Sequence, residues 1–341
     1  MNSAGEPPRI ESRPIQQGLE PRRWAGDRFS FEDSFPHFFA HRPMEDAHAR
    51  ISSGVPGLDE ALSGGFLPGS LVVIAGATGI GKTQLGLQCL LAGTGNQNHR
   101  GAILDLSSRG DSQQHQPYAE RLGGWRPKLV GAEAVPMAPE QLFDPRSEWP
   151  DGLQLWEYDG RPLVAAWQNQ DDRDALQRDW NRALERLTAF LYGHRIRGND
   201  RLLIDGIEPV ERYDQNAQWQ MIEYAYQRVW RREPDWVARE LFRQRFREHA
   251  PLVAEHAYDP HQGVAILLVT TTSALLNDLI ARPLSDGDLS AGANTLIYLG
   301  RIQDGSRMRR GLYIAKHRGS RCSDACHEVV IDQDGIALVD A

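Results

Sequence analysis

The segment LVVIAGATGIGKTQLGLQCL, residues 71–90, constrains the fold more than any other part of the 341-residue chain. It begins with an apolar run typical of a buried strand, passes through a glycine-rich turn and continues with the spacing of a helix. The turn, residues 76–83, fits the pattern G-x-x-x-x-G-K-[ST] at every position. A strand, a glycine-rich turn and a helix in direct succession place this turn at the heart of a phosphate-binding unit.

The residue types in the turn suit the phosphates of a nucleotide. Glycines let the backbone wrap closely, so that successive amide N–H groups can point at phosphate oxygens. Lys82 would bring a positive charge to the β- and γ-phosphates, and the hydroxyl of Thr83 would bind Mg²⁺. ATP and Mg²⁺ are therefore the expected cofactors. The predicted cofactor-binding residues are Gly76, Ala77, Thr78, Gly79, Ile80, Gly81, Lys82, Thr83 and Gln84.

A second part of such a site is an acidic residue at the end of a buried strand. Asp205 closes the apolar run RLLID and is predicted to hold the magnesium ion, partly through water. The predicted metal ligands are thus Thr83 and Asp205. An aspartate in this position can also serve only to form a turn, and that alternative stays open.

Further apolar runs extend the domain around this turn. Buried strands are predicted at 101–108, 201–206 and 263–272, and an amphipathic helix is predicted at 171–193. Strands that alternate with helices indicate an α/β domain with a mainly parallel sheet. Near the C-terminus, NTLIYLGRIQDGSRMRRGLYIAKHRG alternates like an antiparallel hairpin.

The chain is predicted to divide into a tail and one domain. Residues 1–48 contain six prolines without sustained periodicity, so we expect a largely disordered N-terminal tail ahead of a domain at 49–341. Five phenylalanines in FSFEDSFPHFF form a patch that is costly to leave in water. This patch is expected to pack on its own domain, with docking on a neighbouring protein as the alternative.

Two longer motifs resemble segments of one known protein family. RISSGVPGLDEALSGGFLPGSLVVIAGATGIGKTQL (50–85) resembles the KaiC and RadA branch of the RecA-like ATPases, in which a Gly-(Ile/Val)-Pro-Gly-Leu-Asp segment precedes the glycine-rich turn. AKHRGSRCSDACHEVVIDQDGIAL (315–338) resembles the Lys-x-Arg-Gly segment of KaiC-like proteins. The resemblance covers about 50–125, 173–212 and 262–340, which leaves 126–172 and 213–261 as insertions.

The resemblance implies a RecA-like P-loop fold, with a mainly parallel twisted sheet, flanking helices, a C-terminal antiparallel extension and helical insertions. It also implies a homo-oligomer, a ring or a filament, with ATP at the interface between subunits. Lys316 and Arg318 match the pair that reaches the γ-phosphate of a neighbouring subunit, where positive charge stabilises the transferring phosphoryl group. A solvated hairpin face is the alternative for this pair.

The chain departs from the family at the expected catalytic base. KaiC-like members carry a glutamate, usually a Glu-Glu pair, directly after the second strand, where it activates the attacking water. This chain has Ser107-Ser108 there. Asp105 and Glu208 are candidate substitutes, although each is more often a structural carboxylate. The candidate catalytic residues are therefore Lys82, Asp205, Lys316 and Arg318, with Asp105 and Glu208 as weaker candidates.

We therefore expect a Mg-ATP-binding ATPase with slow or regulatory turnover. A RadA-like DNA-dependent ATPase and a non-hydrolysing nucleotide-binding scaffold stay open as alternatives. A net charge of −8 argues against a broad grip on DNA, and no run of 18 apolar residues suggests a membrane span, so a cytoplasmic location is expected. The arginine-rich stretch at 226–249 is expected to be structural, with a protein partner at 213–261 or nucleic acid as alternatives.

Overall fold

Ten strands form one sheet within the residues that the computed structural model describes, which are 50–93, 101–107, 115–155, 170–207, 217–282 and 292–339. In chain order the strands are β1 (Leu71–Gly76), β2 (Ala102–Asp105), β3 (Leu129–Gly131), β4 (Gly152–Gln154), β5 (Arg201–Ile207), β6 (Val264–Thr270), β7 (Thr295–Asp304), β8 (Arg307–His317), β9 (His327–Ile331) and β10 (Ile336–Leu338).

Helices precede, connect and flank these strands. They are α1 (Leu58–Ala61), α2 (Lys82–Leu91), α3 (His115–Gly123), α4 (Pro139–Phe143), α5 (Gln170–Ile196), α6 (Ala217–Glu223), α7 (Pro234–Phe242), α8 (Phe246–Glu255) and α9 (Leu276–Ala281). A π-helix, Tyr224–Trp230, follows α6, and short 3₁₀ turns cover Ala132–Ala134 and Arg243–Arg245.

The strand order is β10-β9-β8-β7-β1-β6-β5-β2-β4-β3. From β7 to β3 every neighbouring pair is parallel, whereas β7 to β10 are joined by antiparallel pairings. This confirms the predicted α/β class, with its mainly parallel sheet and its C-terminal antiparallel extension.

Strand β1 lies inside the sheet between β6 and β7, and all six of its residues are buried. Its side chains alternate between two hydrophobic cores, because successive residues of a strand point to opposite faces. Leu71, Val73 and Ala75 belong to the core that also contains residues of α5. Val72 and Ile74 belong to the core that contains residues of α2. A strand covered on both faces must be apolar throughout, which explains the uninterrupted run LVVIA.

The helical predictions are confirmed where they can be compared. The amphipathic helix expected at 171–193 is α5, and its buried residues include Leu187 and Phe190. The arginine-rich stretch at 226–249 packs Trp230, Phe242 and Phe246 into the same core, while its arginines are exposed. The expected packing role is confirmed, since the aromatic residues of the stretch fill the core against the sheet. A protein partner or nucleic acid at its exposed arginines stays a prediction.

Some predictions lie outside the described residues. The N-terminal tail and its phenylalanine patch belong to residues 1–49. The segment LQLWEYDGRPLVAAW, in which Asp159-Gly160 predicts the turn of a hairpin, falls partly in 156–169. The strand at its start, β4, pairs in parallel with β2 and β3. None of the described helices has the length and apolar character needed to cross a membrane.

Candidate nucleotide-binding site

The glycine-rich turn lies at the carboxyl edge of the sheet, between β1 and α2. Gly81 immediately precedes α2 with φ +121°, a backbone conformation that side chains rarely allow. A Cβ on Gly81 would also lie 2.7 Å from Cδ1 of Ile331. At Gly76, a Cβ would collide with the carbonyl oxygen of Leu299 on β7. Glycine at these positions thus allows the turn to lie close against the C-terminal strands.

The side chain of Lys82 folds back over the turn. Its Nζ donates hydrogen bonds to the carbonyl oxygens of Gly76, at 2.9 Å, and Ala77, at 3.0 Å. Burial lowers the pKa of Lys82 to about 8, and the nearby Asp205 opposes that change. An anion bound in the turn would favour the charged ammonium, because a nearby negative charge raises the pKa of a lysine.

Thr83 and Asp205 meet although 122 positions separate them in the chain. The hydroxyl of Thr83 donates to Oδ2 of Asp205 at 2.8 Å, and Oδ1 accepts a hydrogen bond from the backbone N–H of Gly206 at 2.8 Å. The register between β5 and β6 shifts after Ile204, at the point where Asp205 turns toward α2. A hydroxyl and a carboxylate side by side are hard oxygen ligands, and this donor set fits Mg²⁺.

His115 joins this acidic side of the site, and its role was missed in the sequence. It is the first residue of α3 and is buried, with Nε2 3.2 Å from Oδ2 of Asp205 and Nδ1 3.8 Å from Oδ2 of Asp105. No spacing rule connects a lone histidine in the stretch QQHQPY to an aspartate 90 positions away. Only the parallel register of β2 and β5, in which Asp105 lies opposite Asp205, brings the three together.

Asp105 is held by the backbone that follows it. Its Oδ1 accepts a hydrogen bond from the N–H of Ser107 at 2.8 Å. Burial raises the pKa of Asp105, while the Ser107 N–H and His115 act in the opposite direction. Ser107 is itself buried beside the site. Ser108 and Glu208, the other residues discussed as parts of a catalytic base, lie outside the described residues.

Gln218 on α6 ties two strand ends together next to the acidic residues. Its side-chain amide donates to the carbonyl oxygen of Leu106, at 2.7 Å, and to that of Gly206, at 3.1 Å. These carbonyls follow Asp105 and Asp205 directly in the chain. A glutamine inside a segment read as an insertion gave no signal of this role in the sequence.

Comparisons with known proteins agree with this geometry. Residues 51–122 match the model of the KaiC ATPase family. The circadian clock oscillator protein KaiC of Prochlorococcus marinus is 47% identical over 51 residues, which are 15% of this chain and 10% of that protein. The DNA repair protein RadA of Brucella abortus is 40% identical over 97 residues, 28% of this chain and 19% of that protein. The part of the chain around the glycine-rich turn is therefore similar to the KaiC and RadA branch of the RecA-type ATPases.

These matches are local, since they span between a tenth and a fifth of the length of the two relatives. A solved KaiC-like protein from Pyrococcus horikoshii aligns over 85% of this chain and 98% of its own. That alignment has a TM-score of 0.44 and 17% identity, so the resemblance is carried by the sequence matches around the glycine-rich turn.

Lys316 and Arg318 lie away from the glycine-rich turn. Lys316 pairs with Leu296 on β7, and the N–H of Arg318 donates to the carbonyl oxygen of Asn294, whose own N–H donates to that of Leu71. Leu71 begins β1, whereas the turn follows the other end of that strand, about 16 Å further along at about 3.3 Å per residue. Burial and the neighbouring Arg318 lower the pKa of Lys316. The structure does not bring this pair to its own turn.

The last strand, β10, is hydrogen-bonded to the second half of α2. Ile336 on β10 donates its N–H to Oε1 of Gln88 at 2.6 Å, and Nε2 of Gln88 donates to the carbonyl oxygen of Ile336 at 3.1 Å. Both groups are buried. This pair of hydrogen bonds fixes β10 against the helix whose N-terminal end faces the phosphate position.

Proposed function

We propose that this chain binds Mg-ATP and hydrolyses it slowly, as a regulatory ATPase that assembles with ATP between like subunits. The observation that carries the proposal is the meeting of Lys82, Thr83 and Asp205 at the glycine-rich turn. These three side chains come from a strand–turn–helix unit and from a strand beyond its neighbour. Their types and positions are those that phosphoryl transfer needs.

Each group has a separate task in this proposal. The backbone amides at the start of α2 and the ammonium of Lys82 would bind the phosphates. Thr83 and Asp205 would hold Mg²⁺, which neutralises charge that develops on the phosphate oxygens when it is bound. The lowered pKa of Lys82 is not an obstacle, because a pKa of about 8 leaves most of the side chain protonated at neutral pH and an incoming phosphate would favour the charged form further.

Slow turnover follows from the residues around the end of β2. Ser107 occupies the place where the family carries a glutamate, and a neutral hydroxyl is a poor base. Loss of a positioned general base typically lowers a rate by about 10²–10⁴-fold. Asp105 is a weak replacement, since one of its oxygens is already bound by the N–H of Ser107.

The position of Lys316 and Arg318 supports an interface role. Both are placed near the beginning of β1, at the edge of the sheet opposite the turn. A basic pair at that edge would meet a nucleotide only if a second copy brought its turn alongside. The proposed assembly therefore places each ATP between one copy's glycine-rich turn and the next copy's Lys316 and Arg318.

The first test is phosphate release and binding of a fluorescent ATP analogue, with Lys82→Ala and Asp205→Asn variants alongside. We expect measurable but slow turnover, which both substitutions abolish. Lys82→Ala should strongly reduce nucleotide affinity, and Asp205→Asn should raise the Mg²⁺ concentration that binding requires. Tight binding without turnover would favour a nucleotide-gated scaffold. Wild-type protein that binds no nucleotide would refute the proposal.

The interface is tested by mixing two inactive variants. Lys82→Ala lacks a working turn, and a double Lys316→Ala, Arg318→Ala variant lacks the basic pair. In mixed oligomers some interfaces combine an intact turn with an intact pair, so partial recovery of turnover is expected. Wild-type turnover by the double variant alone would show that the pair does not contact nucleotide.

A DNA-dependent ATPase is the second candidate, favoured by the match to the DNA repair protein RadA. The net charge of −8 disfavours it. A shift of labelled single-stranded DNA that weakens steeply with salt, together with faster phosphate release, would support this candidate.

A further inference from the structure

His115 is a buried polar group that the proposed chemistry has not yet used. Its side chain is 2% exposed, and α3 starts with this residue directly beside the ends of β2 and β5. An imidazole in that position must find hydrogen-bond partners, because an unpaired buried polar group is costly. Its hydrogen-bond partner is Oδ2 of Asp205, at 3.2 Å from Nε2, and Oδ2 of Asp105 lies 3.8 Å from Nδ1.

The direction of the hydrogen bond to Asp205 follows from chemistry. A carboxylate can only accept, so the hydrogen must lie on Nε2 of His115, which is 3.2 Å from Oδ2. The same oxygen accepts the hydroxyl of Thr83 at 2.8 Å, and Oδ1 accepts the N–H of Gly206. Three donors from three segments therefore fix both oxygens of this carboxylate.

The geometry favours a supporting role over a role as the missing base. Both ring nitrogens of His115 face carboxylates, Nε2 toward Asp205 and Nδ1 toward Asp105. A general base needs a nitrogen free to accept a proton from water. Hydrogen-bond partners of a metal-binding carboxylate, in contrast, orient it and tune its affinity for the metal.

We propose that His115 is a positioning residue for the magnesium site, whose Nε2–H holds the carboxylate of Asp205 beside the hydroxyl of Thr83. The inference rests on the proposed function, since it concerns the magnesium ion that accompanies ATP. It adds a residue from α3, outside the glycine-rich turn and the acidic strand, to the machinery of the site. The loss of such a partner is expected to weaken metal binding by about 10–100-fold.

The test measures how much Mg²⁺ is needed for binding of a fluorescent ATP analogue, and the affinity for that analogue in EDTA. His115→Leu keeps a similar volume but removes the donor, whereas the amide N–H of His115→Gln can reach the position of Nε2. We expect His115→Leu to raise the half-saturating Mg²⁺ concentration by about 10–100-fold, with unchanged affinity in EDTA. His115→Gln should stay within about threefold of wild type, because it keeps an N–H donor for the carboxylate of Asp205.

Other outcomes overturn the inference. Wild-type Mg²⁺ dependence in His115→Leu would exclude a positioning role, and an equal loss in Leu and Gln variants would show that the N–H donor is not what matters. If His115→Leu does not unfold cooperatively on heating, His115→Asn replaces it, since its shorter amide cannot reach Asp205. The proposed function itself would be refuted if the wild-type protein did not bind the ATP analogue, or if Lys82→Ala protein bound it as tightly as wild type.

Discussion

Two regions satisfy their buried polar groups in different ways. One is the carboxyl edge of the sheet, where the glycine-rich turn lies, and the other is the helical layer that α5 forms against one face of the sheet. At the edge, Lys82, Asp205 and His115 lie together, and charged groups face other titratable groups. In the layer, His194 and Arg195 on α5 are equally buried but bind backbone carbonyls, an amide and aromatic rings. The first arrangement can exchange partners with a ligand, whereas the second is built mainly on backbone carbonyls and aromatic rings of the protein itself. The edge is thus suited to binding and the layer to stability.

The largest expected effect is a loss of nucleotide affinity on substitution at the carboxyl edge of the sheet. Lys82→Ala should lower nucleotide affinity by about 100-fold or more, since it removes the charge that meets the phosphates. The free energy of unfolding should change little, because the removed ammonium was buried at a cost. Titration with a fluorescent ATP analogue and urea unfolding measure the two quantities. Lys128→Ala, at an exposed lysine paired with Glu148, is the matched control and should change neither.

The next largest effect is a loss of stability on substitution in the helical layer. Arg195 donates to the carbonyl oxygens of Asn199 and Asp259 and stacks on the rings of Trp230 and Tyr258. Arg195→Leu should lower the free energy of unfolding by about 3 kcal/mol, because buried carbonyls lose charged donors. Nucleotide affinity should stay at the wild-type value.

Urea unfolding compares Arg195→Leu with Arg178→Leu, an exposed arginine on the same helix that should change stability by about 0.5 kcal/mol or less. Equal losses in the two variants would contradict the role of the buried contacts. A loss of nucleotide affinity in Arg195→Leu would break the division between edge and layer.

A third prediction concerns pH. Burial lowers the pKa of His194 to about 3, and the ring is bound by the carbonyl oxygen of Pro150 and the amide of Asn199. The unfolded chain takes up a proton near pH 6.5, so the stability that neutral His194 allows is lost as pH falls from 6.5 toward 3. The loss should reach about 2 kcal/mol at pH 5. Urea unfolding between pH 7 and pH 4.5 measures it.

His194→Gln keeps a donor for Pro150 but cannot take up a proton, so it should flatten this part of the pH profile. His256→Gln, at a less buried histidine, should leave the profile unchanged. An unaltered acid slope in His194→Gln would assign the sensitivity to other groups.

The smallest expected effect comes from substitution of Gln218, whose side chain lies between the helical layer and the carboxyl edge of the sheet. Gln218→Leu leaves the carbonyl oxygens of Leu106 and Gly206 without their amide donor and should cost about 1–2 kcal/mol in urea unfolding. Because these carbonyls adjoin Asp105 and Asp205, the Mg²⁺ concentration at which nucleotide binding is half-saturated should also rise by about twofold to tenfold. Gln227→Leu, at an exposed position in the following π-helix, is the control. A purely structural role would change stability alone.

The turn side of the site could be predicted because its residues are consecutive. Binding of phosphate by 76–84 needs only one strand, one turn and one helix, and the sequence pattern describes all three. Asp205 was also predictable, since an acid after an apolar run is a local signal. The helix α5 followed from its periodicity, and the core role of 226–249 followed from its aromatic spacing.

The acidic side could not be predicted in full, for a physical reason. His115 and Gln218 reach the site only through the register between β2 and β5, which the sequence does not reveal. Neither residue belongs to a run or spacing that points to its partners. The distance of Lys316 and Arg318 from their own turn likewise depends on strand order, and the family resemblance supplied the expectation that they act on a neighbour.

The seat of β10 on Gln88 has a consequence for folding. Its two hydrogen bonds join residues 248 positions apart, so the helix that follows the turn gains this support only when the last strand docks. Contacts between such distant residues form late, because closing a long loop costs entropy before any contact repays it. During synthesis the turn would leave the ribosome early yet stay without this support until residue 336 had emerged. Competence to bind nucleotide would therefore depend on a strand that is synthesised more than 240 residues after the turn.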